Sequence, residues 1–251
     1  YCVMQLPGYD LESGQDISRK SEETSMSHFG IGTVVFLSLV LSGTLVGGCS
    51  KDSGTTTDKP ATLGTATRPT SAFADTLQNL QAAFNGESNA HARYVAFAGK
   101  ADEEGYGQVA SLFRAAARAE EIHARTHAGV IRKLGGDPKA DVRSPEVKST
   151  RENLEAALKG ESYERDTMYP EFIQKAREEG QKDAIRSMNL ALNAEVEHAK
   201  LYGEALAALD SWKSGKKVFY VCPVCGFTTL KIDFQKCPSC YTVKEKFEQV
   251  S

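Results

Sequence analysis

The motif AEEIHA at 119–124 returns as AEVEHA at 194–199, and this pair constrains the fold more than any other feature of the chain. Each copy sets a Glu three residues before a His: Glu120 with His123, and Glu195 with His198. Residues i and i+3 of an α-helix share a face, so each pair can reach one point if its segment is helical. From about Phe73 to Trp212 the composition turns to Ala, Leu, Glu, Lys and Arg with few prolines, which is helix-forming sequence. Breaks near GYG (105–107), at GGDPKADVRSP (135–145) and at Gly180 divide it into four helices. At roughly 25–30 residues each they are long enough for a four-helix bundle, with the central stretch as a crossover between helix pairs.

The two halves read as a duplication. YVAF (94–97) matches YPEF (169–172) and DEEG (102–105) matches REEG (177–180), both at the motif's offset of 75. Gly86-Glu87-Ser88 matches Gly160-Glu161-Ser162 at an offset of 74, so the register slips by one residue near those glutamates. Pro170 falls inside the third helix, where it should remove a hydrogen bond and bend the chain.

If the two motif-bearing helices face each other, their four side chains converge. The remaining helices then offer Glu87 on one, and Glu161 with Glu164 on the other. Such carboxylates in a bundle interior would repel, and each would cost several kcal/mol to desolvate. Two divalent cations offset that charge, and carboxylate with imidazole suits iron or manganese. Glu from two helices with Glu-x-x-His from two others resembles the ferritin-like di-iron or di-manganese bundles. On this reading Glu120 and Glu195 bridge the metals, His123 and His198 are end ligands, and Glu87, Glu161 and Glu164 complete the shells. A single E-x-x-H more often marks a solvated face; two copies at one repeat position, with Glu at matching places, outweigh that. His91, His127, Glu121 and Glu197 read as solvent-face or packing residues. Tyr94 and Tyr169, about two turns beyond Glu87 and Glu161, could donate hydrogen bonds to ligand carboxylates or simply pack.

From Lys216 the chain becomes short, aromatic and cysteine-rich, too small to hold a core without a cross-link or a metal. CPVCG (222–226) and KCPSC (236–240) place C-x2-C pairs eleven residues apart, a strong metal-site spacing. Two disulfides are the alternative, which export would favour. Metal is preferred, because two tight knuckles, each with Pro after its first Cys, suit a tetrahedral thiolate set. Gly226 supplies the permissive backbone that turns amides toward sulfur. Spacing does not separate zinc from iron.

The first residues differ in kind. The chain opens at Tyr1, which reads as a translated extension or a fragment end. IGTVVFLSLVLSGTLV (31–46) is uncharged and suits a secretory apolar region better than a membrane span. It runs into VGGCS, like a bacterial lipoprotein signal whose Cys49 is lipidated, although a leader starting at Met26 would lack Lys and Arg. A plain anchor or an uncleaved apolar N-terminus is the alternative. Residues 50–71 are Ser, Thr, Gly and Pro with almost no large apolar side chain, a tether that should not fold. The expected division is 1–48 signal or extension, 49–72 tether, 73–214 bundle and 216–251 cysteine domain. Net charge is −3, and the first 48 residues, with two basic and five acidic side chains, account for all of it. Nothing in that balance points to nucleic acid.

Taken together, GES, RYVAF, EEGY, AEEIHA, GESYERDTMYPEF, AREEG, AEVEHAKLY and the paired C-x2-C resemble the rubrerythrin family over about Phe73 to Phe247. The resemblance implies a mainly α fold, a ferritin-like four-helix bundle followed by a rubredoxin-like knuckle domain. It implies two irons on Glu87, Glu120, His123, Glu161, Glu164, Glu195 and His198, and one on Cys222, Cys225, Cys237 and Cys240, with zinc or manganese as substitutes. It implies a peroxidase that reduces hydrogen peroxide to water with electrons relayed through the cysteine-bound iron from an unidentified donor protein. Exchange between Glu164 and His123 at one iron belongs to that picture, as do homodimers in which one subunit's cysteine site lies near the partner's di-iron site. Tyr241 departs from the pattern, standing where many members have Gly after the last Cys. So does the apparent export signal: members are usually cytoplasmic, whereas a lipidated Cys49 would tether this chain on the periplasmic side, where a cytochrome could be the donor. A ferroxidase is the rival function, and a zinc-binding structural module the second.

Overall fold

The computed structural model describes residues 73–251; the apolar stretch 31–46, Cys49 and the expected tether lie outside the described residues. Three of the expected helices are single elements: α1 (Ala74–Glu103), α2 (Gly107–Lys133) and α5 (Lys182–Ala207). The third is composite: α3 (Thr150–Tyr163), one π turn (Glu164–Met168) and α4 (Tyr169–Glu178). Among the described residues no helix is long and apolar enough to cross a membrane.

The π turn explains two features of the sequence together. A π turn accommodates one extra residue in an otherwise α-helical run. It lies between Ser162 and Tyr169, where the offset between the halves changes from 74 to 75. It also meets the Pro170 problem, because the chain widens just before the residue that lacks an N–H, and the Tyr169 amide donates to the Glu164 carbonyl. The expected bend is therefore a local bulge inside the wall of the bundle.

The crossover is held, not loose. Ser149 and Glu152 form a reciprocal capping box at the start of α3. Asn85 and Asn89 of α1 accept from the Asp141 and Arg143 amides at 2.8 and 3.0 Å. The core between the helices combines alanines with four mutually packed rings, Tyr94, Phe97, Phe113 and Tyr202, whose centroids lie 5.4–6.3 Å apart. Alanine lets the backbones approach closely; the aromatics fill one end.

After a 3₁₀ turn (Leu209–Trp212) the chain forms β1 (Phe219–Val221), β2 (Thr228–Thr229) and β3 (Glu248–Val250), an antiparallel sheet in the order β2-β1-β3. This sheet is too small to stand alone and leans on the bundle. Trp212, Phe219 and Val221 enter the same core as Phe113, Leu201 and Tyr202. Arg118 of α2 forks onto the Glu248 carboxylate of β3 at 2.7 and 3.0 Å. Cys222, Cys225, Cys237 and Phe247 form their own cluster, backed by Leu190 of α5 and by Phe227 and Phe234.

Candidate metal centre

The bundle brings six of the seven expected carboxylate and histidine residues into two overlapping sets. One is Glu87, Glu120, His123 and Glu195; the other is Glu161, Glu120, His198 and Glu195. In each set the ligand atoms lie within 4.8 Å of one another, and all six residues are buried. Glu120 and Glu195 belong to both. His123 Nδ1 lies 2.8 Å from Glu120 and 3.1 Å from Glu195. His198 Nδ1 lies 2.8 Å from Glu195 and 3.4 Å from Glu120. The end carboxylates are farther, Glu87 at 4.0 Å from His123 and Glu161 at 3.9 Å from His198. The duplication in sequence thus becomes a pseudo-twofold site: two carboxylates common to both sets, two imidazoles and two outer carboxylates.

The donor set fits a pair of cations. Four buried carboxylate oxygens, one each from Glu87, Glu120, Glu161 and Glu195, have no hydrogen-bond partner. Buried charge without compensation is expensive, so those lone pairs call for a cation. The titration behaviour agrees. Burial, then neighbouring carboxylates, pushes Glu87 and Glu161 well above the usual carboxyl range. Burial opposes ionisation of Glu120 and Glu195 too, but His123 and His198 outweigh it and hold both below that range. Burial likewise opposes a charge on His123, yet Glu195 and Glu120 push it up to about 10. The carboxylates raise His198 in the same way. The site draws positive charge to its centre, which is what two metals would supply.

Glu164 is the residue the structure leaves outside both sets. It opens the π turn and is half-buried. Burial, followed by the fields of Glu161 and Glu195, raises its carboxyl well above the usual range, while Arg93 partly offsets this. It stands beside the site rather than in it.

The two tyrosines are hydrogen-bond donors. Tyr94 donates to Glu161 at 2.5 Å and Tyr169 donates to Glu87, so each half's tyrosine orients the other half's terminal carboxylate. Burial and these carboxylates raise both phenols, which keeps their protons in place. His127, one helical turn beyond His123, is fully buried and does more than pack. Its Nε2 lies 3.0 Å from the Tyr169 hydroxyl and its Nδ1 2.7 Å from Ser187 Oγ. Burial and the nearby His123 charge lower it to about 3, so the ring is neutral. His91 bonds only the Ala117 carbonyl, at 2.8 Å.

The four cysteines converge as the spacing requires. Their sulfurs lie within 4.8 Å of one another, and none is in a disulfide. Cys222 and Cys240 are 3.5 Å apart and Cys225 and Cys237 3.6 Å. A tetrahedral metal at about 2.3 Å from each sulfur needs separations of about 3.8 Å, so the cage suits one. Hydrogen bonds from Cys225 and Cys237 hold the Cys222 thiol far below its ordinary range, and the Cys222 interaction raises the other two. Tyr241 takes the left-handed conformation, φ 63°, that Gly226 takes at φ 75° in the first knuckle. The two turns close alike, Gly226 N–H to Cys222 O and Tyr241 N–H to Cys237 O, both at 3.0 Å. Tyrosine therefore costs the second knuckle about 1–2 kcal/mol of backbone strain, not its shape.

The two centres touch. His123 Nε2–H donates to the Cys225 carbonyl at 3.1 Å, and His198 Nε2–H to Thr228 Oγ1 at 3.1 Å. Thr228 in turn donates to the Gly226 carbonyl at 2.9 Å. These contacts fix both rings with Nδ1 facing the carboxylates. They occur within one chain, and neither the carbonyl nor Thr228 carries a motif by which sequence could have singled it out.

A four-helix bundle with a twofold carboxylate–imidazole centre, capped by a tetrathiol knuckle, defines a ferritin-like protein of the kind that pairs two metal centres. The family model for rubrerythrin matches residues 78–206. Nigerythrin from Nitratidesulfovibrio vulgaris (strain Hildenborough) is 42% identical over 177 residues, covering 70% of this chain and 87% of that one. A solved structure, the fully reduced, all-ferrous state of nigerythrin, superposes with a TM-score of 0.65 at 40% identity, covering 69% of this chain and 86% of that chain. Bacterioferritin of Mycobacterium tuberculosis, at TM-score 0.51 and 24% identity over 55% of this chain and 87% of its own, shares the fold. The chain belongs to the rubrerythrin family and is an oxidoreductase of the rubrerythrin type.

Proposed function

We propose that this chain is a peroxidase that reduces hydrogen peroxide to water. One observation carries the reading: a buried site with two shared carboxylates lies one hydrogen bond, Cys225 carbonyl to His123, from a four-thiol cage. Glu87, Glu120, His123, Glu161, Glu195 and His198 would hold two irons, and Cys222, Cys225, Cys237 and Cys240 a third. Bound there, an iron pair would supply the two electrons that reduce peroxide, and a cysteine-bound iron would return them one at a time from an external donor protein.

The chain's own residues set the conditions. Glu120 and Glu195 remain ionised in a dry interior and share their charge between both positions. Tyr94 and Tyr169 hold the end carboxylates in place. The Cys225 and Thr228 contacts lock the two imidazoles. Glu164 we assign as the ligand held in reserve, beside the His123 side of the site. A ferroxidase or a storage protein would need the carboxylates but has no use for the thiol cage.

Two further assignments go with this reading. A homodimer is proposed on the family resemblance. Export and tethering through Cys49 rest on the 31–49 sequence; a fatty-acid label lost in Cys49→Ala would support them, and an unlabelled wild type would remove them. For the peroxidase, the test is stopped-flow oxidation of the anaerobically reduced protein by hydrogen peroxide and, separately, by dioxygen. Faster reaction with peroxide, two electrons consumed for each, supports the assignment. Preference for dioxygen moves it to ferroxidase.

A further inference from the structure

The pseudo-twofold also breaks behind the two tyrosines. His127 lies 75 residues before Tyr202, so the repeat that pairs Glu120 with Glu195 pairs this histidine with a tyrosine. Behind Tyr94 stands Tyr202, whose buried hydroxyl has no hydrogen-bond partner. Behind Tyr169 the hydrogen bonds continue through His127 to Ser187. The Tyr94 side also has the half-buried Arg93 guanidinium, a cation that holds its protons, so the neutral histidine–serine run lies on the Tyr169 side. Ser187 lies 3% exposed on the wall of a cleft of about 440 Å³ between α2, α5 and the first knuckle. The exposed Arg125, Lys133 and Asp183 at the rim of this cleft mark it as open to water.

We propose that Ser187, His127 and Tyr169 form a proton wire from this cleft to Glu87. The direction follows from the donors. Tyr169 has one proton and gives it to the Glu87 carboxylate, so its oxygen must accept from His127 Nε2–H. His127 is then the Nε2–H tautomer, and its bare Nδ1 accepts from the Ser187 hydroxyl. All three donors point inward. A proton taken by Ser187 from cleft water moves to Nδ1, the Nε2 proton to Tyr169, and the phenol proton to Glu87. One passage leaves the ring as the Nδ1–H tautomer, so a second transfer requires the imidazole and both hydroxyls to reorient first.

The inference rests on the peroxidase reading, which creates the need. Cleaving hydrogen peroxide to two waters consumes two electrons, from the reduced metal pair, and two protons, from solvent. The site is dry: its four acids, both imidazoles and both tyrosines are at most 2% exposed. Protons must enter along polar side chains, and the Tyr169 side carries an unbroken hydrogen-bonded run of neutral ones.

Two measurements test the wire. The first is the ¹⁵N spectrum of the full chain loaded with diamagnetic zinc. His127 should be the Nε2–H tautomer, with Nδ1 shifted as an acceptor; an Nδ1–H ring would overturn the wire whatever the enzyme does with peroxide. The second compares peroxide-driven oxidation of wild type, Ser187→Ala, His127→Gln and Tyr202→Phe in H₂O and D₂O. The relay variants should slow about a hundredfold, the lower end for a lost proton-transfer group, with an altered solvent isotope effect. Tyr202→Phe should match wild type. Folded Ser187→Ala and His127→Gln proteins that keep the wild-type rate and isotope effect would overturn the wire and leave the peroxidase reading standing. A wild type inert to peroxide would overturn that reading instead, and with it the wire's purpose.

Discussion

Substituting Gly226 by alanine should separate the two centres. An alanine Cβ there would stand 2.4 Å from His123 Nε2, 3.0 Å from its Cδ2 and 3.2 Å from the Ala119 Cβ. Contacts of that kind normally settle near 3.5 Å or beyond, so the overlap is about 1 Å. His123 cannot recede, being buried and held at 2.8 Å by Glu120 on its far side. The knuckle must move, which breaks the Cys225 carbonyl contact. Overpacking a rigid site costs about 1–3 kcal/mol. The left-handed backbone, φ +75°, adds about 1 kcal/mol for any side chain. The expected loss is about 2–4 kcal/mol. Gly180 supplies the control: φ is +69°, but nothing lies within 4 Å of its missing Cβ, so Gly180→Ala should carry only the backbone cost. Guanidinium unfolding of both variants measures the difference. If Gly226→Ala and Gly180→Ala agree within about 0.5 kcal/mol, the contact with His123 is not as described.

Other outcomes follow from the same geometry. Glu195→Gln removes charge from both ligand sets and should strip both metals of the bundle site, whereas Glu87→Gln should weaken one; elemental analysis counts them, with the cysteine-bound metal unchanged. Cys240→Ser should abolish thiolate-to-metal absorption while leaving the bundle metals. His127, near 3 folded against 6.5 ordinarily, takes up a proton on unfolding between those values. Stability should therefore fall as pH drops through that window, by up to about 1.4 kcal/mol per unit, and the wild-type minus His127→Gln difference should show that slope. Arg118→Ala should cost no more than about 1 kcal/mol, because the pair is partly solvated, and should raise hydrogen exchange in β3.

The helical bundle was legible because the duplicated Glu-x-x-His, the alanine-rich composition and the three breaks agree at every level. The convergence of the carboxylates and imidazoles was legible because i, i+3 spacing transmits directly into a shared face. The one-residue slip was visible in the alignment of the halves, but its form was not: an insertion can loop out, and only Pro170 next to it hints that the helix widens instead. His127 reads in sequence as a solvent-face or packing residue, though it shares a helix face with His123. What distinguishes it is contact with Tyr169 and Ser187 from two other helices, and a single sequence does not report such distances. The Cys225 carbonyl was invisible for a deeper reason, since every residue has one. Glu164 has the residue type and spacing of a ligand, but it opens the π turn and falls outside both convergent sets, a placement that spacing alone does not report.

The most direct test of the central claim is the Mössbauer spectrum of the iron-loaded full chain. The account predicts three irons: a coupled pair bridged by Glu120 and Glu195, and one high-spin tetrathiolate iron on the cysteines. Isolated, uncoupled irons in the bundle, or a chain that loads only the cysteine site, would contradict it.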